Sequence, residues 1–503
     1  MPAAELILAW FDRHRVWLLA LAGLLVVAAF STAWRVTPDS ALFLGLARNL
    51  ALGRGFTFNE QTVSTVNPGF PHLLAILFRA GGDPIAVANA FILLTSLASL
   101  VLVFALMRAH AGRPLAVLIT FLTAINSTFH RHTGEILADM PFFFFCMLAL
   151  LGYELTFARP DRRPARIVVG GIFTLLGLAG MAWLRLVFIA PLGAIVADLA
   201  WRVRRSRFKW AILAAAGAVL LGAVAVRLAD PRMAGGLTLL AKEREVLESF
   251  RNLPATLQRT GEFTAPRLLT DVTPRALFGN KVGVWPIDGA VSILVFTAGL
   301  MLVKRRIAWA VLVAICLAQW LLFYPDSRYF LPIIPLLLLG WWDLGVKLTS
   351  YARPARQAGA LAAFVALLLI PNLVRAFGFV LDQRRTPFLE HYMRGRFRDL
   401  PALAAQAAST LPPDAVIIAD EQFASPMHYL SGRRTIAVSG ALLLGDRPPG
   451  RPAFVLISKG SEFDGVLSRS GLRQAAIVLG DPQDPAALRV FALEPLPAPA
   501  RPN

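Results

Sequence analysis

The sequence predicts an all-α polytopic membrane domain with about eleven transmembrane helices, followed by a small C-terminal α/β domain. Of the 503 residues, 56% are apolar and only 16% are charged, whereas soluble proteins carry about a quarter charged residues. Apolar runs long enough to cross about 30 Å of hydrocarbon recur along the chain. They lie near residues 16–34, 85–107, 115–128, 137–157, 168–182, 184–200, 210–228, 287–303, 307–323, 329–346 and 357–376.

Basic residues are unevenly distributed between the two sides of this predicted membrane domain. If the N-terminus is cytoplasmic, the cytoplasmic segments hold 19 Lys or Arg in 43 residues. The opposite side, without the C-terminal tail, holds 14 in about 124. This is the positive-inside asymmetry of membrane proteins, so the net charge of +19 reports topology rather than a nucleic-acid site. We expect a multi-pass protein in contact with membrane lipids, with no nucleic-acid partner.

Two regions on the non-cytoplasmic side interrupt the membrane domain, which is predicted to cover residues 1–376. The first, 35–84, contains two helical patterns at 38–52 and 69–80. Both are too short to span a bilayer, so we expect interfacial helices. The second region, 229–286, is predicted to be a long loop that serves as a binding element or a lid.

The remaining residues, 377–503, are predicted to form the C-terminal domain on the same, non-cytoplasmic side. A helical pattern covers 397–410, and apolar runs at 415–419 and 452–457 have the length and composition of buried strands. Helix and strands together predict the small α/β domain.

Asp39 is the leading catalytic candidate. It lies five residues after the first apolar span, at the start of the first predicted interfacial helix. A carboxylate just outside the bilayer can take a proton from an acceptor hydroxyl or amine while a sugar leaves a lipid phosphate. The dipole of the helix favours a first-turn carboxylate in any case, so a purely structural role stays open.

A second carboxylate, Asp139, opens an apolar span on the same predicted side. A carboxylate at a membrane boundary is costly unless it is solvated or paired. Glu135 comes one helical turn earlier, so the two could share a helix face, although both could also be plain interfacial residues. His130 and His132 could ligate a divalent cation together with Glu135, but solvated loop histidines are the simpler interpretation.

Two arginines lie at the non-cytoplasmic ends of predicted spans. Arg185 interrupts an apolar stretch, and Arg328 directly precedes Tyr329. A guanidinium group can hold a phosphate in a forked geometry, as a polyprenyl-phosphate donor would require. The alternatives are snorkelling of Arg185 to the interface and a salt bridge between Arg328 and Asp326.

Four segments, in this order along the chain, resemble the GT-C glycosyltransferases. The resemblance is to the bacterial relatives of protein O-mannosyltransferases and of the aminoarabinose transferases that modify lipid A, and it covers residues 10 to about 440. The segments are Asp39 with the following helix and the Gly53-Arg54-Gly55 turn, the stretch from Asn67 to Leu74 that includes His72, the stretch from Leu137 to Pro141, and Arg328-Tyr329 with Pro332 and Pro335.

This resemblance implies a GT-C-like catalytic domain in the bacterial inner membrane, with its active site and C-terminal domain in the periplasm. It also implies a polyprenyl-phosphate sugar donor and inversion at the sugar carbon. Asp39 would take the catalytic acidic position, Asp139 the second one, and Arg185 and Arg328 would contact the phosphate. The expected substrate site is completed by Tyr329, Glu135, His72 and Asn67.

The acceptor implied by the resemblance is a lipid, a polysaccharide or another envelope glycan, as in lipopolysaccharide modification. Protein O-mannosyltransferases typically carry paired acids in the first loop, whereas here Asp39 is followed by Ser40, and their lumenal domain differs. A protein acceptor is therefore disfavoured. The transferred sugar, hexose or pentose, stays open.

A transporter or flippase for a lipid-linked glycan is the main alternative. Such a protein is expected to place ionisable residues near the bilayer midplane and often contains an internal repeat, and the sequence indicates neither. An O-antigen polymerase or ligase is expected to carry its functional loop late in the chain, and a phosphoethanolamine-type transferase needs a large soluble metal-binding domain. The sequence therefore favours glycosyl transfer.

Overall fold

The structure of the protein, a computed structural model, is mainly helical. It describes residues 3–63, 66–157, 164–204, 217, 252–279, 283–322, 326–385, 399–438, 452–457, 474–479 and 488–493. Up to residue 204 the helices are α1 (Ala3–Arg13), α2 (Arg15–Ala28), α3 (Pro38–Ala51), α4 (Gly69–Arg79), α5 (Pro84–Ala111), α6 (Arg113–Ile125), α7 (Ser127–His132), α8 (Asp139–Phe157), α9 (Pro164–Leu184) and α10 (Ile189–Val203).

The second half of the chain continues the helical bundle and ends in a sheet. From residue 252 the helices are α11 (Leu253–Arg259), α12 (Ala265–Arg267), α13 (Thr273–Phe278), α14 (Trp285–Met301), α15 (Ile307–Leu322), α16 (Ile334–Thr349), α17 (Pro354–Arg385), α18 (Leu400–Thr410) and α19 (Glu421–Ser431). A 3₁₀ helix, Ser327–Ile333, leads directly into α16.

Within the described ranges, six helical segments are long and apolar enough to cross a membrane. They are Pro84–Ala111, Asp139–Phe157, Pro164–Leu184, Trp285–Lys304, Ser327–Thr349 and Pro354–Asp382. Shorter apolar helices cover Arg15–Ala28, Gly69–Arg79, Arg113–Ile125 and Ile307–Gln319. The count of eleven spans stays a prediction, since the run at 210–228 lies outside the described residues, apart from Gly217.

Both helices predicted for the first loop are present, as α3 and α4. The start of α3 is set by a capping box, in which the backbone N–H of Ser40 donates to Thr37 Oγ1 (3.0 Å) and the N–H of Thr37 donates to Ser40 Oγ (2.9 Å). Pro38 supplies the fixed φ that suits a first helical turn. The capping box and Pro38 therefore fix the start of α3, and with it the position of Asp39 in the first helical turn.

Between these helices lies a small hairpin that the sequence did not predict. Strands β1 (Thr57–Phe58) and β2 (Gln61–Thr62) pair antiparallel. The two loop residues, Asn59 and Glu60, have φ of +55° and +65°, as in the two-residue turns that match the twist of a hairpin. The Asn-Gly pair typical of such turns is missing from the sequence, so no local signal indicates the hairpin.

The prediction of a long loop in the second region is wrong for residues 253–278, which are helical. The π-helical stretches Thr260–Thr264 and Leu268–Val272 join α11, α12 and α13. Pro254 lies in the first turn of α11, where the missing N–H costs no hydrogen bond. Pro266 and Pro274 lie inside the continuous helical stretch, each just after a π-helical segment, so the helix continues through them with locally altered hydrogen bonding. Residues 229–251 lie outside the described part of the chain.

The C-terminal part contains a five-stranded mixed sheet. Its order is β4-β3-β5-β7-β6, with β3 (Val416–Asp420), β4 (Arg434–Val438), β5 (Ala453–Ile457), β6 (Gln474–Leu479) and β7 (Arg489–Leu493). Strand β3 is parallel to β4 and β5, while β7 is antiparallel to β5 and β6. The two predicted strands are β3 and β5, and the predicted helix is α18.

Helices α8 and α9 approach each other closely through glycine. A Cβ added at Gly177 of α9 would lie 2.5 Å from the backbone nitrogen of Ala149 in α8. A Cβ at Gly152 of α8 would lie 2.5 Å from the backbone nitrogen of Thr174. Small residues allow such backbone contact between membrane helices. This packing places Asp139, the first residue of α8, beside Arg185, the residue after α9.

Replacing Gly177 with alanine is therefore expected to force α8 and α9 apart and to lower the midpoint of thermal unfolding, since overpacking costs about 1–3 kcal/mol. Gly171→Ala is the matched control, because a Cβ at Gly171 on the same helix meets nothing within 4 Å. Thermal unfolding of both variants, purified in detergent, measures the difference. Equal midpoints would mean that the close approach contributes nothing to stability.

Candidate active site

Four charged side chains from distant parts of the chain meet at one end of the helical bundle. Arg328 Nη1 donates to Asp39 Oδ2 at 2.8 Å, and Arg185 Nη1 donates to Asp139 Oδ1. Asp139, Arg185 and Arg328 line one narrow cleft together with Tyr329. The structure thus brings together five of the residues that the sequence singled out.

The two carboxylates differ in their access to solvent. The side chain of Asp39 is 49% exposed, whereas that of Asp139 is 6% exposed. A buried carboxylate needs a partner, because removing its charge from water is costly, and Arg185 is that partner for Asp139. Asp39 is therefore the carboxylate that can contact a bound molecule, while Asp139 orients a guanidinium group.

Tyr329 contacts both guanidinium groups. The Cζ atoms of Arg185 and Arg328 each lie 5.2 Å from the centre of its ring, within the range of a cation–π contact. Arg328 Nη2 also donates to Tyr329 Oη at 3.5 Å. Two arginines that share one ring can bind the oxygens of a single phosphate group.

Asp326 is a further partner of Arg328, as one sequence alternative suggested. Its Oδ2 lies 3.5 Å from Arg328 Nε, and its Oδ1 accepts the backbone N–H of Arg328 at 3.1 Å. Arg328 thus contacts Asp326 and Asp39 at once. The guanidinium group also lines the cleft, and its contact with a phosphate stays a prediction.

The position of Asp39 depends on its neighbour Ser40. The hydroxyl of Ser40, which is fully buried, accepts from Trp34 Nε1 at 3.0 Å and donates to the carbonyl of Thr37 at 2.8 Å. An acidic side chain here would be buried, and it would lack the hydroxyl proton that the Thr37 carbonyl accepts. The serine that departs from the paired-acid pattern therefore has a structural role in this loop.

Glu135 does not share a helix face with Asp139, so that expectation is wrong. Glu135 lies in the turn between α7 and α8, where it accepts from Arg131 Nε at 3.1 Å and lies 2.8 Å from His132 Nδ1. Helix α7 ends at His132 and α8 begins at Asp139, so helical spacing does not relate Glu135 to Asp139. His130 and His132 are buried, with 0% and 3% of their surface exposed. The interpretation as solvated loop histidines is therefore wrong.

His72 and Asn67 lie in and before α4. His72 Nδ1 donates to the carbonyl of Pro68 at 2.7 Å, and the imidazole stacks on Phe56 with ring centres 6.0 Å apart. Its ring also lies 6.1 Å from that of Trp183, two residues before Arg185. Asn67 is partly buried. Contact of either residue with a substrate stays a prediction.

No protein-family model matches the sequence, and no curated protein matches it. Among solved structures, ArnT from Cupriavidus metallidurans bound to undecaprenyl phosphate is similar, with a TM-score of 0.56, 16% identity, and coverage of 95% of this chain and 97% of that chain. An oligosaccharyltransferase from Archaeoglobus fulgidus in complex with Zn and sulfate has a TM-score of 0.55 at 13% identity, covering 84% of this chain and 62% of that one. Both are GT-C glycosyltransferases. The chain has the GT-C fold.

Three segments of this fold carry the site. The first loop with Asp39, the start of α8 with Asp139 and the 3₁₀ helix with Arg328 come together at one end of the bundle. The predicted resemblance is confirmed at the level of the fold. Identity of 16% leaves the chemistry to be argued from the side chains.

In this GT-C fold the C-terminal part is attached to the first loop, a contact that the sequence did not predict. The backbone N–H of Asn59 donates to His428 Nε2 at 3.0 Å, and the N–H of Thr435 donates to Asn59 Oδ1 at 2.8 Å. Asn59 Nδ2 donates in turn to the carbonyl of Thr435. His428 can accept because its Nδ1 donates to the carbonyl of Arg433 (2.7 Å) and because burial lowers its pKa, which keeps it neutral.

Aromatic contacts extend this attachment toward Asp39. Tyr429 of α19 packs edge-on against Trp34 with ring centres 5.1 Å apart, and the guanidinium group of Arg48 in α3 lies 4.9 Å from the Tyr429 ring. Trp34 is also the donor to Ser40. The C-terminal part therefore supports the turn that holds Asp39.

Replacing Asn59 with glycine is expected to release this attachment. Glycine keeps the positive φ without strain but removes the side chain that satisfies Thr435, and an unpaired backbone group costs about 1–3 kcal/mol. We expect a lower unfolding midpoint and faster proteolytic release of the C-terminal part. Asn252→Ala is the control, because that side chain makes no capping hydrogen bond at its helix. Unchanged cleavage in Asn59→Gly would rule out a supporting role.

Proposed function

We propose that this protein is an inverting glycosyltransferase that moves a sugar from a polyprenyl-phosphate donor to a lipid, polysaccharide or other envelope acceptor. The reaction takes place at the end of the bundle that carries Asp39, which we assign to the periplasmic face of a bacterial inner membrane. The observation that carries the proposal is an accessible carboxylate held by one of two arginines that share a tyrosine ring. The GT-C fold and the undecaprenyl phosphate bound to ArnT support a lipid-linked donor.

Asp39 is the proposed base. Its carboxylate takes the proton of the acceptor hydroxyl or amine while the acceptor atom forms a bond to the anomeric carbon of the sugar. The bond from that carbon to the phosphate oxygen breaks, and its electron pair leaves with the polyprenyl phosphate. One displacement from the face opposite the phosphate inverts the anomeric configuration.

Arg328 and Arg185 are the proposed phosphate ligands. Negative charge grows on the leaving phosphate during the displacement, and guanidinium groups already in place stabilise it without reorganisation. Arg328 would exchange its contact with Asp39 for the phosphate, which frees the carboxylate to act as a base. Asp139 is proposed as a positioning residue that keeps Arg185 directed at the cleft.

The carboxylates of this site do not fit a resident divalent cation. Asp39 and Asp139 are each paired with a guanidinium group. Among the described residues, no group of three or more His, Cys, Asp or Glu side chains could hold a metal ion. In the proposed reaction the arginines therefore supply the positive charge that a cation would otherwise bring.

The test is sugar transfer by the purified full chain in phosphatidylcholine liposomes. A panel of polyprenyl phosphates carrying radiolabelled hexoses or pentoses is offered together with an envelope lipid and lipopolysaccharide extract. We expect label to move from one donor to an extractable acceptor, with the opposite anomeric configuration by NMR. If folded protein transfers no sugar from any donor, the proposal fails, and transport of a lipid-linked glycan becomes the better explanation.

A further inference from the structure

A second, larger cavity lies next to the candidate active site. Its volume is about 790 Å³, and side chains of α7, α13 and α17 form most of its wall. Four arginines and one aspartate are among the lining residues. They are Arg35, Arg131, Arg275, Arg375 and Asp382.

Arg35 is the most deeply buried of these arginines, with 3% of its surface exposed. Its Nη1 donates to the carbonyl of Arg131 at 3.2 Å, and its guanidinium group lies 4.0 Å above the ring of Phe379. Its Nε, also buried, has no hydrogen-bond partner among the described residues. Burial lowers the pKa of Arg35 to about 10, although the charges of Glu135 and Asp382 act in the opposite direction. The buried Nε–H without a partner is the group that an anion in the cavity would satisfy.

The remaining charges leave the cavity basic. Arg131 is paired with Glu135 (3.1 Å) and Arg275 with Asp271 (2.8 Å), so these two are largely neutralised. Arg35 and the exposed Arg375 then face a single lining carboxylate, that of Asp382. The hydroxyl groups of Ser127 and Thr128 on the same wall donate to the carbonyls of Arg275 (3.4 Å) and Ala276 (3.2 Å). The donors available to an anion are therefore the guanidinium groups, which suit phosphate or carboxylate oxygens.

The cavity adjoins the residues proposed to act on the sugar. Ser327, one of its lining residues, directly precedes Arg328. Arg131, another, is bound to Glu135 in the turn that leads to Asp139. A molecule whose charged group occupies the cavity would therefore have its neighbouring hydroxyl groups close to the cleft. The volume is within the range of sites that bind small molecules.

We infer that this Arg35–Arg375 cavity binds an anionic group, a phosphate or a carboxylate, of the acceptor. The inference rests on the proposed function, since it names the acceptor class for that site: a lipid with a negatively charged headgroup. It also separates the two substrates in space. The donor phosphate binds at Arg185 and Arg328, and the acceptor anion binds on the other side of Ser327.

The test is a binding measurement that needs no sugar transfer. Native mass spectrometry of the full chain in detergent compares phosphatidic acid, which carries a phosphate monoester, with diacylglycerol of the same acyl chains. We expect the wild type to retain phosphatidic acid preferentially. Losing one charge-assisted hydrogen bond should weaken that binding about tenfold in Arg35→Gln and in Arg375→Gln. Arg356→Gln, an exposed arginine near the start of the same helix as Arg375, should bind like the wild type.

Two further probes assign the ligand and separate this inference from the proposed function. Polyprenyl phosphate should bind Arg375→Gln as tightly as it binds the wild type, and it should bind Arg328→Gln poorly. This measurement tests the proposed donor site independently of the acceptor cavity. Inorganic phosphate that binds the same arginines as tightly as the lipid would overturn the lipid acceptor in favour of a free anion. Phosphatidic acid binding that is unchanged in Arg375→Gln would overturn the site itself, even if Arg35→Gln does not fold.

Discussion

Replacing Asp39 with asparagine is expected to lower the rate of sugar transfer by about 10²–10⁴-fold, the usual contribution of a positioned general base. Asparagine keeps the size of the side chain and can still accept from Arg328, but it cannot take a proton at neutral pH. The protein should stay folded, because the side chain of Asp39 is half exposed and exposed ion pairs contribute at most about 1 kcal/mol.

The measurement is the single-turnover rate with the best donor, in wild type and in Asp39→Asn. Glu60→Gln is the matched control, since Glu60 lies in the same loop and its side chain is 58% exposed, yet it is bound to Arg434 rather than to the cleft. We expect the control to react at the wild-type rate. Equal rates in wild type and Asp39→Asn would mean that Asp39 is only a first-turn carboxylate favoured by the helix dipole. Another residue would then be the base.

The individual members of the site were predictable because each has a local signal. Asp39 follows the first span and precedes a capped helix, Asp139 opens an apolar run, and Arg185 interrupts one. Each charge is costly at a membrane boundary, so its presence indicates a partner or a function. Composition and charge asymmetry likewise predicted a helical membrane protein before any fold was known.

The pairing of these residues could not be predicted in the same way. Asp39 and Arg328 are separated by 289 positions, and Asn59 and Thr435 by 376, so nothing in either segment identifies its partner. Glu135 was misplaced because helical spacing was extended through a turn that ends α7. The burial of Arg35 was missed as well, since an arginine directly after a span has the sequence pattern of an ordinary interfacial residue.

The second large effect is expected at Arg328. Arg328→Gln should lower kcat/KM for the donor by about 10²–10³-fold, because it removes a preorganised group that stabilises the leaving phosphate. Arg328→Lys keeps the charge but loses the planar fork that contacts Asp39, Asp326 and the Tyr329 ring at the same time. The kcat/KM of Arg328→Lys should therefore be only about tenfold higher than that of Arg328→Gln, a difference equivalent to one charge-assisted hydrogen bond.

The division of the Arg328 effect between kcat and KM distinguishes its two possible roles. If Arg328 only anchors the donor, Arg328→Gln raises KM and leaves kcat unchanged, because ground state and transition state lose the same contact. If it stabilises the departing phosphate, kcat falls. The fall in kcat is then smaller for a donor whose phosphate is a more acidic leaving group. Since Arg328 lies 2.8 Å from Asp39, the proposed base, we expect both kcat and KM to change. In the proposed mechanism the donor phosphate takes over the guanidinium contact of Asp39, so donor binding and release of the carboxylate are one event at this residue.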